Sequence, residues 1–183
     1  MSDKHKIAAR AARDLLPGQV INVGIGLPAL ILQHLSPDAP VLVHSENGVL
    51  GMNGHTNTAS AHPMLIDAGG VYVATVPGAS FFDSATSFSI IRGGRLDIAF
   101  LGTLEVAANG DLANWIIPGK FAPGIGGGME LAQKARKVVV MTTHCTRKGG
   151  PKILRRCTLP LTARACVDRI ITELAVMDVT SQG

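Results

Sequence analysis

The chain has 183 residues, 46% of them hydrophobic and 16% charged, with a formal charge of +4. That balance excludes a disordered chain, and no apolar run reaches the ~20 residues of a membrane-spanning helix. Aromatic residues make up only 4% of the chain, too few for the stacking platforms of a nucleic-acid binder, so neither membrane nor nucleic acid is expected as a partner.

Helix-like and strand-like segments alternate, which predicts an α/β fold in one domain over 1–183. Residues 3–16 put Ile7, Ala8, Ala11, Ala12 and Leu15 on one helical face, and Pro17-Gly18 stops that helix. Gln19–Val23 reads as a buried strand. Gly24-Ile25-Gly26 turns into a helix near 28–35, with Pro28 suited to its first position. Val41–His44 is a second strand. A long Gly-, Asn-, Ser- and His-rich loop follows over 45–62, of the kind that often carries function. Val71–Val76 is a strand ended by Pro77-Gly78. Asp83 or Ser84 caps a helix that runs to Arg92 and stops at Gly93-Gly94. Leu96–Leu101 is another strand. Glu105–Ala107 and Leu112–Ile117 flank Asn109-Gly110, a hairpin signal. The glycine-rich loop Pro118–Gly128 opens into a short helix, Met129–Ala135. Lys137–Thr142 is a strand. A basic loop, a helix near 163–170 and a terminal strand near 172–179 complete the chain.

Three constellations could carry chemistry. Gly24-Ile-Gly26-Leu-Pro-Ala29 is a G-x-G-x-x-A turn between strand and helix, and Glu46 stands 22 positions after Gly24. This spacing fits a dinucleotide site, a structural tight turn, or another use of the same geometry. In Ser45-Glu46-Asn47-Gly48 the Asn-Gly pair bends the chain sharply, so the Glu46 carboxylate projects from a strand end. A carboxylate there can act as a nucleophile if fixed donors meet the developing oxyanion, and Asn22, at the end of the neighbouring strand, could be one. A solvated surface turn is the alternative. Gly124-Ile-Gly126-Gly127-Gly128 lets a ligand approach the backbone and precedes a helix, or serves packing alone. It is not a Walker A loop.

The histidines His44, His55, His62 and His144 lack metal spacing, so no metal is expected. Cys145, Cys157 and Cys166, an odd set without Cys-x-x-Cys, read as reduced thiols. Arg147, Lys148, Lys152, Arg155 and Arg156 form a basic stretch, either a solvated face or a contact for an anionic ligand or partner. Trp115 reads as a core or interface residue. The start of the chain lacks the continuous apolar segment of a secretory signal, and Asp3 and Asp14 argue against a transit peptide, so the expected location is the cytoplasm.

Taken in order, these segments resemble the beta subunits of family I, 3-oxoacid-type CoA-transferases. The resemblance rests on Asn22-Val-Gly-Ile-Gly26, Ser45-Glu-Asn-Gly-Val-Leu-Gly51, Pro77-Gly-Ala-Ser-Phe-Phe-Asp83, Ile91-Arg-Gly-Gly94, Gly110-Asp-Leu-Ala-Asn-Trp115, Ile117-Pro-Gly-Lys120, Gly124-Ile-Gly-Gly127 and Cys157-Thr-Leu-Pro-Leu-Thr162. It spans about residues 7 to 179. It implies an open layered α/β sheet, mostly parallel with an antiparallel hairpin. It implies Glu46 as nucleophile, Asn22 as oxyanion donor and the Gly127 N–H beside the thioester. Gly24, Gly26, Asn47, Gly48, Gly126 and Gly128 are expected to contact substrate. The implied reaction moves CoA between an acyl-CoA such as succinyl-CoA and a 3-oxo or short-chain acid such as acetoacetate. It would run by a ping-pong route through a glutamyl-CoA thioester. CoA is then a substrate, and no cofactor is permanently bound. The implied partner is the CoA-transferase alpha subunit, in a heterotetramer of two alpha and two beta chains. Gly69-Gly70 stands where many members carry a lysine. The loop after Gly51 lacks their Pro and acidic residues, and the chain stops at Gly183, earlier than many. A Rossmann-type nucleotide-binding module and a partner subunit without catalysis are the competing readings.

Overall fold

The computed structural model describes every residue except 37–39, 57, 58, 60, 121–123 and 181–183. In chain order the elements are α1 (Asp3–Ala12), β1 (Val20–Val23), a 3₁₀ segment (Pro28–His34), β2 (Leu42–Ser45), β3 (Val49–His55), β4 (Val73–Phe81), α2 (Ser84–Arg92), β5 (Ile98–Leu101), β6 (Glu105–Ala107), β7 (Leu112–Ala113), α3 (Gly128–Lys134), β8 (Val138–Met141), β9 (Ile153–Leu154), β10 (Arg169–Ile171) and β11 (Val176–Asp178).

Every residue of β5 and β8 is buried, as expected of parallel strands covered on both faces. They lie inside an eight-stranded sheet ordered β11-β10-β8-β5-β1-β2-β3-β4. The five strands from β10 to β2 run parallel, and β11, β3 and β4 are antiparallel at the two edges. This is the expected mostly parallel α/β sheet. Alternation along the strands sorts side chains to two cores. Ile21, Val43, Ile98, Phe100, Val139 and Met141 face α1 and the 3₁₀ segment, where Ile7, Ala8, Ala11 and Ile31 are buried. Ala99, Leu101, Val138 and Val140 face α2, α3 and the small sheet β7-β6-β9. Each fully buried Ile or Leu contributes about 1.5–3 kcal/mol.

Several local expectations hold. Asp83 caps α2 by accepting the Thr86 N–H at 2.7 Å. The Asn109-Gly110 hairpin closes with the Gly110 N–H on the Ala107 carbonyl at 2.9 Å, although β7 is only two residues long. Others give way to tertiary contacts. The expected helix near 163–170 does not form. Its spacing of Ala163, Val167 and Ile170 mimics a helical face, but its backbone donors are taken elsewhere. The Cys166 and Val167 N–H groups bond the Gly110 carbonyl and the Ala165 N–H bonds Asp111 Oδ1 at 2.9 Å. Strand β10 follows instead. The loop expected over 45–62 contains β3, whose described pairs with β4 shift register twice. At Gly51 (φ +97°) a side chain would press on Ala79 at 3.1 Å. Strand β4 continues through Pro77, which an edge strand tolerates because its outer N–H needs no partner. The segment after Pro28 is 3₁₀ and no side chain caps its start.

Gly48 carries the sharpest constraint. Its φ is +112° and an added Cβ would lie 1.9 Å from the Phe82 carbonyl oxygen, while the Phe82 N–H holds the Gly48 carbonyl at 3.0 Å. Gly48→Ala is therefore expected to destabilise the chain by about 3 kcal/mol or more. A urea melt with the midpoint unmoved would contradict this.

Candidate active site

Strand alternation builds the site. Val43 points into the α1 core, so His44, and with it Glu46 two residues on, belongs to the α2/α3 side of the sheet, as Asn22 does beside Ile21. The Ser45–Gly48 turn is closed by the Gly48 N–H on the Ser45 carbonyl at 3.0 Å, and it leaves Glu46 and Asn47 at its tip. Asn22 Nδ2 lies 3.3 Å from Glu46 Oε2. Gly127, at the start of α3, comes so close that an added Cβ would sit 3.3 Å from Glu46 Cγ and 3.3 Å from the Phe88 ring. The three residues expected to act together do meet.

Asn22 and His44 are fully buried. Besides Glu46, Asn22 Nδ2 faces the His44 carbonyl at 3.2 Å and His44 Nδ1 at 3.3 Å. The opposite amide orientation would set Oδ1 against two oxygens, which fixes the N–H groups toward Glu46 and His44. His44 Nδ1 must then carry a lone pair, and Nε2–H donates to Ser87 Oγ at 3.0 Å. Phe82 stacks against the imidazole with centroids 6.1 Å apart. Burial pushes the His44 pKa from 6.5 down to about 4, so the ring is neutral at pH 7. His44 and Ser87 thus hold Asn22 in register behind the carboxylate. Sequence reasoning gives His44 as a strand end without metal spacing and misses this supporting role. The available signal was its position two residues before Glu46 on one strand, hence on one face.

The depressed His44 pKa has a stability consequence. Between pH 6.5 and about 4 the unfolded chain binds the proton that the folded chain refuses. Stability is therefore full above pH 6.5 and falls toward pH 4, by roughly 3 kcal/mol in all. His44→Gln is expected to flatten that acid limb. Equal losses in wild type and variant, read as urea midpoints at about pH 7.5 and about pH 5, would contradict it.

Glu46 opens on a cavity of about 550 Å³ walled by Gly24, Gly102, Thr103, Asn114, Trp115 and the Gly124–Gly128 loop. Counting only the parallel strands, their order is 2-1-3-4-5, and the cavity lies at the carboxyl ends of β1 and β5, where the order reverses. That is the ligand crevice of doubly wound sheets. Gly24 is needed there, because a Cβ would stand 3.0 Å from the Phe100 carbonyl. Asn114 ties the two sheets together. Its Nδ2 donates to the Gly102 carbonyl at 3.0 Å and its Oδ1 accepts from Thr162 Oγ1 at 2.6 Å. The Trp115 indole N–H is buried on the cavity wall with no partner among the described residues.

Of the residues expected at the site, Gly24, Gly126, Gly127 and Gly128 line this cavity. Asn47 and Gly48 do not. They line a neighbouring apolar cavity of about 580 Å³ with Met64, Ile66, Phe81 and Phe82, and Asn47 Nδ2 is committed to the Ile66 carbonyl at 2.7 Å. Gly26 lies in the turn beyond, with φ +85° and open space around it. Lys120 ends the described part of the Pro118–Gly128 loop before residue 124. Cys157 and Cys166 are free thiols whose pKa values burial pushes up to about 11 and about 12. Among the described residues no three His, Cys, Asp or Glu side chains gather as a metal cage, and no helix is long and apolar enough to cross a membrane.

Comparison with known proteins adds to this geometry. The family model described as Coenzyme A transferase matches residues 4–183. The chain is 50% identical over 181 residues to the probable coenzyme A transferase beta subunit of Bacillus subtilis (strain 168), covering 99% of this chain and 83% of that protein. It is 45% identical over 180 residues to the corresponding subunit of the succinyl-CoA:3-ketoacid coenzyme A transferase of Helicobacter pylori (strain ATCC 700392 / 26695), covering 98% and 86%. The solved acyl-CoA transferase YdiF of Escherichia coli O157:H7 superposes with a TM-score of 0.75 at 22% identity. This chain is covered completely and spans 37% of that one, a likeness that shows the fold. With nearly its full length matched and half its residues shared with a beta subunit, the chain belongs to the coenzyme A transferase family, as one of its beta subunits.

Proposed function

We propose that this subunit transfers CoA between an acyl-CoA, such as succinyl-CoA, and a 3-oxo or short-chain carboxylic acid, such as acetoacetate, by a ping-pong route with Glu46 as nucleophile. The observation that carries this reading is the Glu46 carboxylate, 3.3 Å from Asn22 Nδ2 at the edge of a 550 Å³ cavity.

The steps balance without any outside reagent. A Glu46 oxygen attacks the thioester carbonyl, the C–S bond breaks, and an acyl-glutamyl anhydride and CoA thiolate result. The thiolate attacks the glutamyl carbonyl and expels the carboxylate product, leaving a glutamyl-CoA thioester. An incoming carboxylate attacks that thioester and the sequence reverses. Asn22 has a defined part in this scheme. Its N–H lies on a Glu46 oxygen, so it meets the oxyanion that forms on the glutamyl carbonyl as thiolate adds or leaves. Gly127 leaves room beside Glu46 Cγ that any side chain would fill, and its N–H is assigned to the thioester region.

CoA is a substrate in this scheme. The alpha subunit is the partner, two of each chain forming a heterotetramer, with the cytoplasm as the setting. The test is steady-state transfer by the co-purified subunits. Parallel double-reciprocal lines for acyl-CoA and acid are expected, and intersecting lines would contradict a ping-pong route. The Rossmann-type alternative requires NAD to raise the melting temperature, and no specific observation favours it.

A further inference from the structure

The basic stretch Arg147–Arg156 divides in the fold. Arg147, Lys148, Arg155 and Arg156 are exposed, whereas Lys152 is half-buried and turns inward. Its backbone is anchored at the start of β9, with its N–H on the His144 carbonyl at 3.2 Å and its carbonyl accepting the Val106 N–H at 2.9 Å. The ammonium lies 3.0 Å from Thr142 Oγ1 and 3.5 Å from the Thr103 carbonyl, beyond the carboxyl ends of β8 and β5. Among the described residues it forms no ion pair. Glu173, the acid whose charge it feels, already accepts the His144 N–H at 3.0 and 3.2 Å, and Lys4 adds a second cation. Lys4, Lys152, Thr103, Thr142 and Thr143 line a cavity of about 180 Å³. Ile25, Gly102 and Thr103 border both this cavity and the larger one at Glu46, so the two adjoin.

Two cations that repel each other, at the carboxyl ends of parallel strands, make a place for an anion. Its distance from the nucleophile selects which anion. β5 is two strand spacings from β2 and β8 is three, so the strand ends that hold the ammonium lie about 10–14 Å across the sheet from the end of β2 that carries Glu46. The far carboxylate of a short diacid bonded at Glu46 cannot reach across that separation, while the phosphopantetheine arm of CoA can. We propose that Lys152, with Lys4, binds the phosphate at the end of the pantetheine arm, and that Thr142, which accepts from the ammonium, positions Lys152. The inference rests on the CoA-transfer reading of Glu46.

Lys152→Met keeps the length of the side chain and removes its charge. In the complex with the partner subunit it is expected to raise KM for an acyl-CoA about tenfold or more. The values of kcat and of KM for the carboxylic acid should stay unchanged. The matching acyl-pantetheine, which lacks the phosphate, should react with variant and wild type alike, and Lys152→Arg should restore most of the affinity. A KM change confined to the acid would put the acid's own carboxylate at Lys152 and overturn the assignment. An unchanged KM for acyl-CoA would overturn the subsite. Binding without turnover gives an independent reading, since CoA, but not pantetheine, should raise the melting temperature of wild type more than that of Lys152→Met. Equal protection of both by CoA would refute the subsite. A wild-type complex without transfer activity would sink the transfer reading alone, and the melting comparison would still decide the subsite.

Discussion

Replacing Glu46 by Gln is expected to lower CoA transfer by about 10⁴-fold or more while the folded chain and its assembly persist. The amide is close to isosteric, so the Ser45–Gly48 turn and the contact with Gly127 can remain, but its oxygen is too weak a nucleophile to open a thioester. The effect should fall on kcat, because the carboxylate acts in bond formation and binding of the CoA moiety is left to the rest of the cavity. Retention of wild-type kcat by Glu46→Gln, in a complex with an unchanged melting temperature, would remove Glu46 from the reaction.

Asn22→Ala carries the second largest expected effect, a loss of about 10²–10³-fold in kcat, the scale of removing one oxyanion donor. Stability also suffers. His44 Nδ1 faces Asn22 Nδ2, and without it this buried acceptor loses that donor, at about 1–3 kcal/mol. The two losses are separable. His44→Gln keeps Asn22 itself and only loosens its support, so its kcat should fall less than that of Asn22→Ala. A kcat for Asn22→Ala within a few-fold of wild type would show that the amide next to Glu46 does not meet the developing charge.

The parts of this site that the sequence made legible are those written in local signals. The strand–glycine–turn patterns around Gly24 and Gly127 and the Asn-Gly bend after Glu46 each follow from backbone requirements of a few residues. The resemblance to a known family then joined them into one site. Asp83 was readable as a cap for the same local reason. What stayed hidden depends on partners distant in sequence. Ser87 lies in the interior of α2 and matters because His44 Nε2 reaches it across 43 residues. Lys152 was one charge among five, and only the ends of β5 and β8 distinguish it. The helix expected near 163–170 failed because Gly110 and Asp111, more than fifty residues earlier, take its backbone donors. Strand β3 was concealed by glycines at 48, 51 and 54 whose positive φ reads as loop until β4 is beside it. The resemblance implies Asn47 and Gly48 as substrate contacts. The turn directs them to the other side, so Asn47 serves to fasten the Ile66 segment.

The most direct test of Glu46 as nucleophile is the mass of this chain, purified in complex with its partner, following incubation with acetoacetyl-CoA. Borohydride reduction and peptide mapping across residue 46 would locate the modification. The account predicts a CoA adduct on the intact chain, and its reduction product on Glu46 and nowhere else. An unmodified Glu46 in a complex that nevertheless transfers CoA would contradict it.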